Sequence, residues 1–498
     1  MSHGPRRRAA LLVVAMALLP WACQRTPHES YNVLIVVLDT VRADHVSANG
    51  YPRTTTPAID ALAADGTSFR SAITVAPRTW QSFASILSGL YPPHHNVRYI
   101  YDEPLRPEVP TLSTILGGTG YDTGAFDIVP FIRGITGGHG FVDYVDIGHK
   151  PPTAARPTAA PSSPGQFTLP DAITMGAVWD WIEARRGKPF FAFVRLLAGH
   201  WPYLATPSQM ADFDSCEGQD HSFNDGGWST FGMGVGKKKH EGFVVSDEDH
   251  YRKRFYDPGY SPATIHHMIA HYDAALRNTD ATIGTLIAHL RDAGLLRRTL
   301  VVITADHGEA FGETGYFTHG PKLDEAAMRV PLVIRLPDDF RGAKRGQVID
   351  DLVRVVDIAP TVLDSLAIEP PKSLDGVSLL PALTGGTVPP LWAYAETEKS
   401  FVGIDPDAYI EGVAGKVRMV RDQNWKLLLV PKPDGPEYRL YDLRQDPGET
   451  TNLYSRHPER AAELLERLQP ILAADIGGKN EPQLTDSQKE RLRALGYR

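Results

Sequence analysis

The chain has 498 residues, 22% of them charged and 42% hydrophobic, with a formal net charge of −8. That length exceeds one simple core and suits a large catalytic domain with a smaller companion, and the composition is that of an ordinary globular protein. With acidic residues in excess no basic field dominates, which argues against nucleic acid as a partner.

In chain order, residues 1–23 read as an export signal. Arg6, Arg7 and Arg8 form a positive start, and Ala9 to Leu19 is an apolar run too short for the ~20 helical residues that cross a bilayer. Ala22 then precedes Cys23, so the segment resembles a bacterial lipoprotein signal with Cys23 lipidated and anchored to a membrane. Pro20 and Trp21 depart from the usual lipobox, and a plain secretory signal is the alternative. The expected location is the periplasm, or the outer membrane as a lipoprotein. A lipidated Cys23 leaves Cys216, the other cysteine, without a disulfide partner.

From Tyr31 onward strand and helix patterns alternate, as in an α/β protein with a large doubly wound mixed sheet flanked by helices. Asn32 to Leu38 is a continuous, β-branched apolar run and reads as a buried parallel strand. Thr56 and Pro57 open a helix that ends before Gly66. A Pro/Ala/Ser-rich loop follows at 150–164, then a strand at Phe190 to Leu197. Residues 208–262 are polar, carry Lys237 to Lys239, and are too long for a simple connection; they read as an insertion covering a site. Ile265, Met268, Tyr272, Leu276, Ile283, Leu286 and Leu290 recur at helical spacing and mark a long amphipathic helix ending near Gly294. Thr299 to Thr304 and Leu332 to Leu336 read as further strands. Beyond Gly386 short strands at Val417, Trp425 and Tyr438 precede a helix from about Pro458. The expected organisation is a catalytic domain over 31–385, a smaller α+β subdomain over 386–475 and a tail over 476–498.

Three segments carry chemistry. Asp306 and His307 follow a buried strand, where open α/β sheets bind their ligands, and together offer an oxygen and a nitrogen to a divalent cation. By itself Asp-His-Gly also reads as a turn with an Asp cap. Asp39 has the same placement after the first strand; alone it could be a helix cap, and a shared metal requires the two strand ends to be neighbours. Thr79 stands just before a predicted helix, where the positive end of the helix dipole can activate a hydroxyl and hold an anion. A simple Thr N-cap is the competing reading.

These residues, with others in the same order, resemble the sulfatase family of the alkaline-phosphatase superfamily. The resemblance runs through Val37 to Asp44, the segment from Thr79 to Ser88-Gly-Leu-Tyr-Pro92, Gly199-His200-Trp-Pro-Tyr203 and Tyr272-Asp273 with Asp280. It continues through Asp306-His-Gly-Glu309, His319-Gly320, Asp324-Glu325, Val356 to Thr361, Asp446 to Thr450 and Leu492 to Tyr497. It implies one divalent metal ion (Ca2+, Mn2+ or Zn2+) held by Asp39, Thr79, Asp306 and His307. It further implies that His200 contacts the transferred group. His319 falls where many sulfatases have an anion-binding lysine and threonine-type relatives a histidine.

The chain departs from the usual pattern in three places. Thr79 stands at the cysteine that becomes formylglycine, Phe83 at the motif's arginine, and Thr40 at the second aspartate of the usual pair; Ser82 is retained. Thr79 cannot become an aldehyde hydrate, so its ester must be opened by attack at sulfur or phosphorus. The set resembles the single-metal phosphoglycerol and phosphoethanolamine transferases, which usually use Mn2+ or Zn2+, whereas true sulfatases use Ca2+. The expectation is a metal-dependent hydrolase that cleaves sulfate or phosphate esters through a covalent Thr79 intermediate. Its substrate would be a sulfated or phosphorylated small molecule, glycan or lipid. A phospho-group transferase and a non-catalytic binding protein of the same fold are the alternatives.

Overall fold

The computed structural model describes Met1 and residues 31–98, 104–128, 130–147, 170–201, 203, 205, 207–214, 259–397, 416–432 and 435–474. The signal reading up to Cys23, Cys216, the loop at 150–164, Lys237 to Lys239 and the motif at Leu492 to Tyr497 lie outside the described residues.

The strands are β1 (Asn32–Leu38), β2 (Thr67–Ile73), β3 (Asp122–Asp127), β4 (Asp143–Asp146), β5 (Phe190–Leu196), β6 (Thr299–Ala305), β7 (Ala310–Phe311) and β8 (Phe317–Thr318). They continue with β9 (Arg329–Arg335), β10 (Gln347–Arg354), β11 (Ala393–Glu396), β12 (Arg418–Arg421), β13 (Trp425–Val430) and β14 (Glu437–Asp442). Eight of them form one sheet in the order β10-β2-β9-β6-β1-β5-β3-β4. Its pairings are parallel except for the two that β9 makes, antiparallel, with β2 and β6. Every residue of β1, β5 and β6 is buried, as expected for central strands covered on both faces.

Helix α1 (Pro57–Ala64) begins at Pro57, but Thr56 makes no side-chain cap. Its hydroxyl bonds Asp60, and the helix is capped from outside by Asp280, whose carboxylate accepts from Ala58 N at 2.8 Å and Ile59 N at 2.9 Å. Asp280 lies on the long helix Pro262–Asp292, which starts at a Ser261 cap and buries Met268, Tyr272, Leu276, Ile283 and Leu290. Helix α2 (Thr79–Ser88) is buried at every position and stops at Gly89, whose φ of +72 turns the chain left-handed.

The sheet β11-β12-β13-β14 is antiparallel and packs with the helix Pro458–Ala474. It joins the large sheet through a shared apolar cluster, with Ile73, Met328 and Leu352 against Ala395, Met419 and Tyr441. Ion pairs flank that seam: Arg421 holds Glu325 at 2.6 Å, and the buried Lys426 holds Glu449 at 2.8 Å. Glu325 and Glu449 both come from the sequence motifs noted above, and their work is to fasten the subdomain.

Candidate active site

The carboxyl ends of β6, β1, β5 and β3 lie side by side, and each delivers a charged residue: Asp306, Asp39, Arg195 and Asp127. The parallel register Leu38↔Ala305 makes Asp39 and Asp306 neighbours. The ladder runs on past the strands, from Asp39 N to Leu196 O (2.9 Å) and from Asp306 N to Leu38 O (3.3 Å). Thr40, at the position of the usual second aspartate, takes φ +57, which is unfavourable for a β-branched residue. The bend aims its backbone N–H at Asp306 Oδ1 (3.1 Å), which also accepts from His307 N at 2.8 Å.

His307 Nδ1 donates to the Gly308 carbonyl at 3.0 Å, so the lone pair is on Nε2. Gly308 has to be glycine, because a Cβ there would overlap the Ala326 carbonyl. Asp39 Oδ1, Asp306 Oδ2 and His307 Nε2 are buried and have no hydrogen-bond partner among the described residues. One ligand atom from each of these residues lies within 4.8 Å of the others. Burying such atoms unsatisfied costs about 1–3 kcal/mol each, more for a charge. Two carboxylate oxygens and an imidazole nitrogen converging on one point fit a divalent cation.

Thr79 is the first residue of α2 rather than the residue before it; Arg78, in an extended conformation, takes the N-cap position. The Thr79 side chain is buried, and it lies close enough to the Asp306 carboxylate to lower that group's proton affinity. Ser82 faces away, its hydroxyl donating to Ala76 O at 3.0 Å. Phe83 is fully buried, edge-on to Phe193 at 5.5 Å, so the place of the family's arginine has become core.

His200 and His319 both reach the site: their rings lie 5.4 Å apart, and that of His319 lies 4.4 Å from that of His307. His200 Nδ1 donates to Trp201 O at 2.5 Å, and His319 Nδ1 meets Glu309 Oε1 at 3.1 Å. In each case Nε2 is the ring nitrogen not engaged in that contact. All six residues singled out from the sequence therefore converge.

The charges are strongly coupled. Burial raises the Asp39 carboxyl, but Arg195, with His200 and His307, outweighs it and holds the group below the ordinary carboxylate range. Burial and then the charge of Asp39 push Asp306 well above that range. Burial drives His307 down to about 4, with Arg78 and His200 adding to the effect. Burial likewise keeps His200 and His319 low and Glu309 high.

Sequence reasoning missed Arg195, Asp127, Arg78 and any separate role for Glu309. Arg195 donates from Nε to Asp39 Oδ2 at 3.0 Å, contacts the same oxygen through Nη2, and donates from Nη1 to Asp127 Oδ1 at 3.0 Å. It thereby commits one oxygen of Asp39 and leaves Oδ1 for a ligand. The signal was present: Arg195 interrupts an otherwise apolar strand, Phe-Phe-Ala-Phe-Val-Arg-Leu.

A buried hydroxyl among carboxylates and histidines at the carboxyl edge of a largely parallel sheet is the site of an ester hydrolase. The sulfatase family profile matches residues 31–368, and that of the N-sulphoglucosamine sulphohydrolase C-terminal region matches 312–474. The chain belongs to the sulfatase family, and it is a hydrolase acting on ester bonds. It is 26% identical to arylsulfatase K of Bos taurus over 459 residues, 89% of this chain and 81% of that protein. It is 32% identical to arylsulfatase K of Xenopus laevis over 217 residues, 42% of this chain but only 38% of that protein. Among solved structures it resembles a phosphonate monoester hydrolase of Agrobacterium radiobacter (TM-score 0.64, 20% identity, covering 90% of this chain and 96% of that one). A protein in complex with its substrate D-glucosamine-2-N,6-O-disulfate is similar in fold (TM-score 0.66, 20% identity, 92% and 100% covered).

Proposed function

We propose that the protein is a metal-dependent hydrolase that cleaves a sulfate or phosphate ester by forming a covalent ester on Thr79. The observation that carries this reading is the convergence of three orphaned ligand atoms, on Asp39, Asp306 and His307, beside the hydroxyl of Thr79, which lowers the proton affinity of Asp306. When bound, a divalent ion would supply the charge that lowers the pKa of the hydroxyl and neutralises the transferred group. Thr79, at the start of α2, holds its oxygen at the positive end of the helix dipole. Its oxygen attacks sulfur or phosphorus in line as the bond to the leaving alcohol breaks. His319 donates from Nε2 to a non-bridging oxygen or to the departing oxygen, with its Nδ1 accepting from the protonated Glu309 carboxyl, while His200, whose Nδ1 donates to Trp201 O, can donate from Nε2 only as the imidazolium. Water then attacks the sulfur or phosphorus of the Thr79 ester and restores the hydroxyl.

The substrate we infer is a small sulfated or phosphorylated molecule or glycan; the sulfated glucosamine bound by a protein of similar fold supports a sulfated sugar. Thr79 itself favours a second reading, phosphate mono- or diesters, because a phosphothreonine is opened by attack at phosphorus more readily than a sulfothreonine by attack at sulfur. Matched aryl sulfate, phosphate monoester, phosphodiester and phosphonate substrates decide between the two. Acid-quenched turnover followed by peptide mass spectrometry should find the modification on Thr79. Thr79→Ala should remove nearly all activity and Thr79→Ser should keep part of it. A modified Ser82, or full activity in Thr79→Ala, would overturn the mechanism.

A further inference from the structure

The transferred group needs a cation that the family's motif position no longer supplies. The transferred group is an anion, yet the family's motif arginine is here Phe83, packed in the core against Phe193. Three other arginines are buried around the site. Arg195 is committed to Asp39 and Asp127, and Arg42 to Asp44 and Glu313. Arg78 has contacts of its own, and what sets it apart is its place beside the nucleophile. It is the N-cap residue of α2, immediately before Thr79, and is only 4% exposed. Its guanidinium lies flat on Gly320, the residue after His319: a Cβ at Gly320 would overlap Arg78 Nη2 and Cζ and stand 2.7 Å from Nε. Gly320 also takes φ +117, so position 320 requires glycine twice over, once for its backbone and once for the arginine above it.

We propose that Arg78 binds the non-bridging oxygens of the transferred sulfuryl or phosphoryl group, and that Gly320 is the seat that keeps its guanidinium there. The geometry seats a planar, permanently charged fork on Gly320, next in the chain to His319, and carries it on the residue before the nucleophile, where bidentate contact with a tetrahedral oxyanion is possible. The reach of the charge agrees with that position, for it depresses the proton affinity of His200, His307, His319 and Glu309 alike. Arg78 thus supplies, from the residue before the nucleophile, the cation lost at Phe83. It explains how a site without the motif arginine still holds an anion.

This inference rests on the hydrolase reading, and its test separates the two. The full chain, loaded with the divalent ion that it retains, is titrated calorimetrically with inorganic sulfate and with inorganic phosphate. Kinetics on the best ester and metal content are measured in parallel for Arg78→Met, Arg78→Lys and Gly320→Ala. Arg78→Met should keep its metal, weaken anion binding at least about tenfold, and lower kcat/KM by about 100- to 1000-fold, the scale of losing one oxyanion donor. Arg78→Lys should recover part of this, since a point charge replaces a fork. Gly320→Ala should reproduce the loss with Arg78 still present, which a purely structural arginine does not predict. Undiminished anion affinity and turnover in a folded Arg78→Met or Gly320→Ala protein would overturn the proposal while the hydrolase reading stands. Anion binding that depends on Arg78 in a protein hydrolysing none of the four ester classes would do the reverse.

Discussion

Replacing Asp306 by Asn tests the metal assignment through stability alone. Oδ1 of Asp306 accepts from two backbone N–H groups, and the Asn carbonyl can take over both. The change therefore falls on the other atom, Oδ2, which is buried without a partner. In the metal-free protein the Asp306 carboxylate is costly, because it is buried beside Asp39 and its pKa stands well above the ordinary carboxylate value. A folded pKa raised above the unfolded one gives a stability contribution that is complete in acid and lost as pH rises, so at neutral pH the charge works against folding. An amide removes that charge. The metal-free variant should therefore melt no lower than the metal-free wild type in chelator. Added metal should reverse the ranking. At one hundred times its Kd the ion stabilises the wild type by about 2.7 kcal/mol. An amide nitrogen is no ligand, and losing one of the two carboxylates weakens binding by at least about a hundredfold, leaving about 0.4 kcal/mol at the same concentration. At ~2 °C per kcal/mol for a large domain, the metal-induced shift should fall from about 5 °C to under 1 °C. Thermal melts with Mn2+, Zn2+ and Ca2+, together with elemental analysis, read this directly. A wild-type shift and full metal content in Asp306→Asn would refute the ligand assignment. A metal-free variant that melts well below the wild type would refute the electrostatic argument.

Two further outcomes follow from groups away from the ligands. His95 is buried, accepting from Val97 N at Nδ1 (3.0 Å) and donating from Nε2 to Ser85 Oγ (2.9 Å). Burial, with Arg98 and His94 adding to it and Glu396 opposing, lowers it from 6.5 to about 3. Its contribution to stability is complete above pH 6.5 and is lost as pH falls towards about 3, at about 1.4 kcal/mol per pH unit; urea unfolding of wild type and His95→Asn should differ in pH slope by that amount, and equal slopes would exclude the assignment. The lipoprotein reading of Cys23 expects Cys23→Ser to leave the membrane fraction and to lose incorporated lipid, whereas unchanged fractionation with no lipid on the wild type leaves only a plain signal.

Much of this protein could be read without coordinates. Apolar runs marked β1, β5 and β6, and helical spacing marked the long helix to within a few residues of its ends, because burial on both faces or on one face leaves a local periodic signature. Asp39, Asp306 and His307 were recognisable as strand-end residues, and Thr79, His200 and His319 by their order along the chain. What sequence could not decide was adjacency and direction. That β6 lies against β1, so that two carboxylates 267 positions apart share one pocket, is a property of the sheet order and the parallel register. The same holds for α1, whose cap comes from Asp280 across the fold while Thr56 bonds within its own turn. Arg195 stood out as a charge in an apolar strand, yet only the neighbouring ends of β1 and β3 show that it is paired twice, with Asp39 and Asp127. Arg78 gave no sign at all, because nothing local requires an N-cap residue to lie across a glycine some 240 positions away. Local pattern specifies which residues are buried and where elements begin; charge pairing, ligand convergence and the seat of an arginine arise between elements, and only their packing decides them.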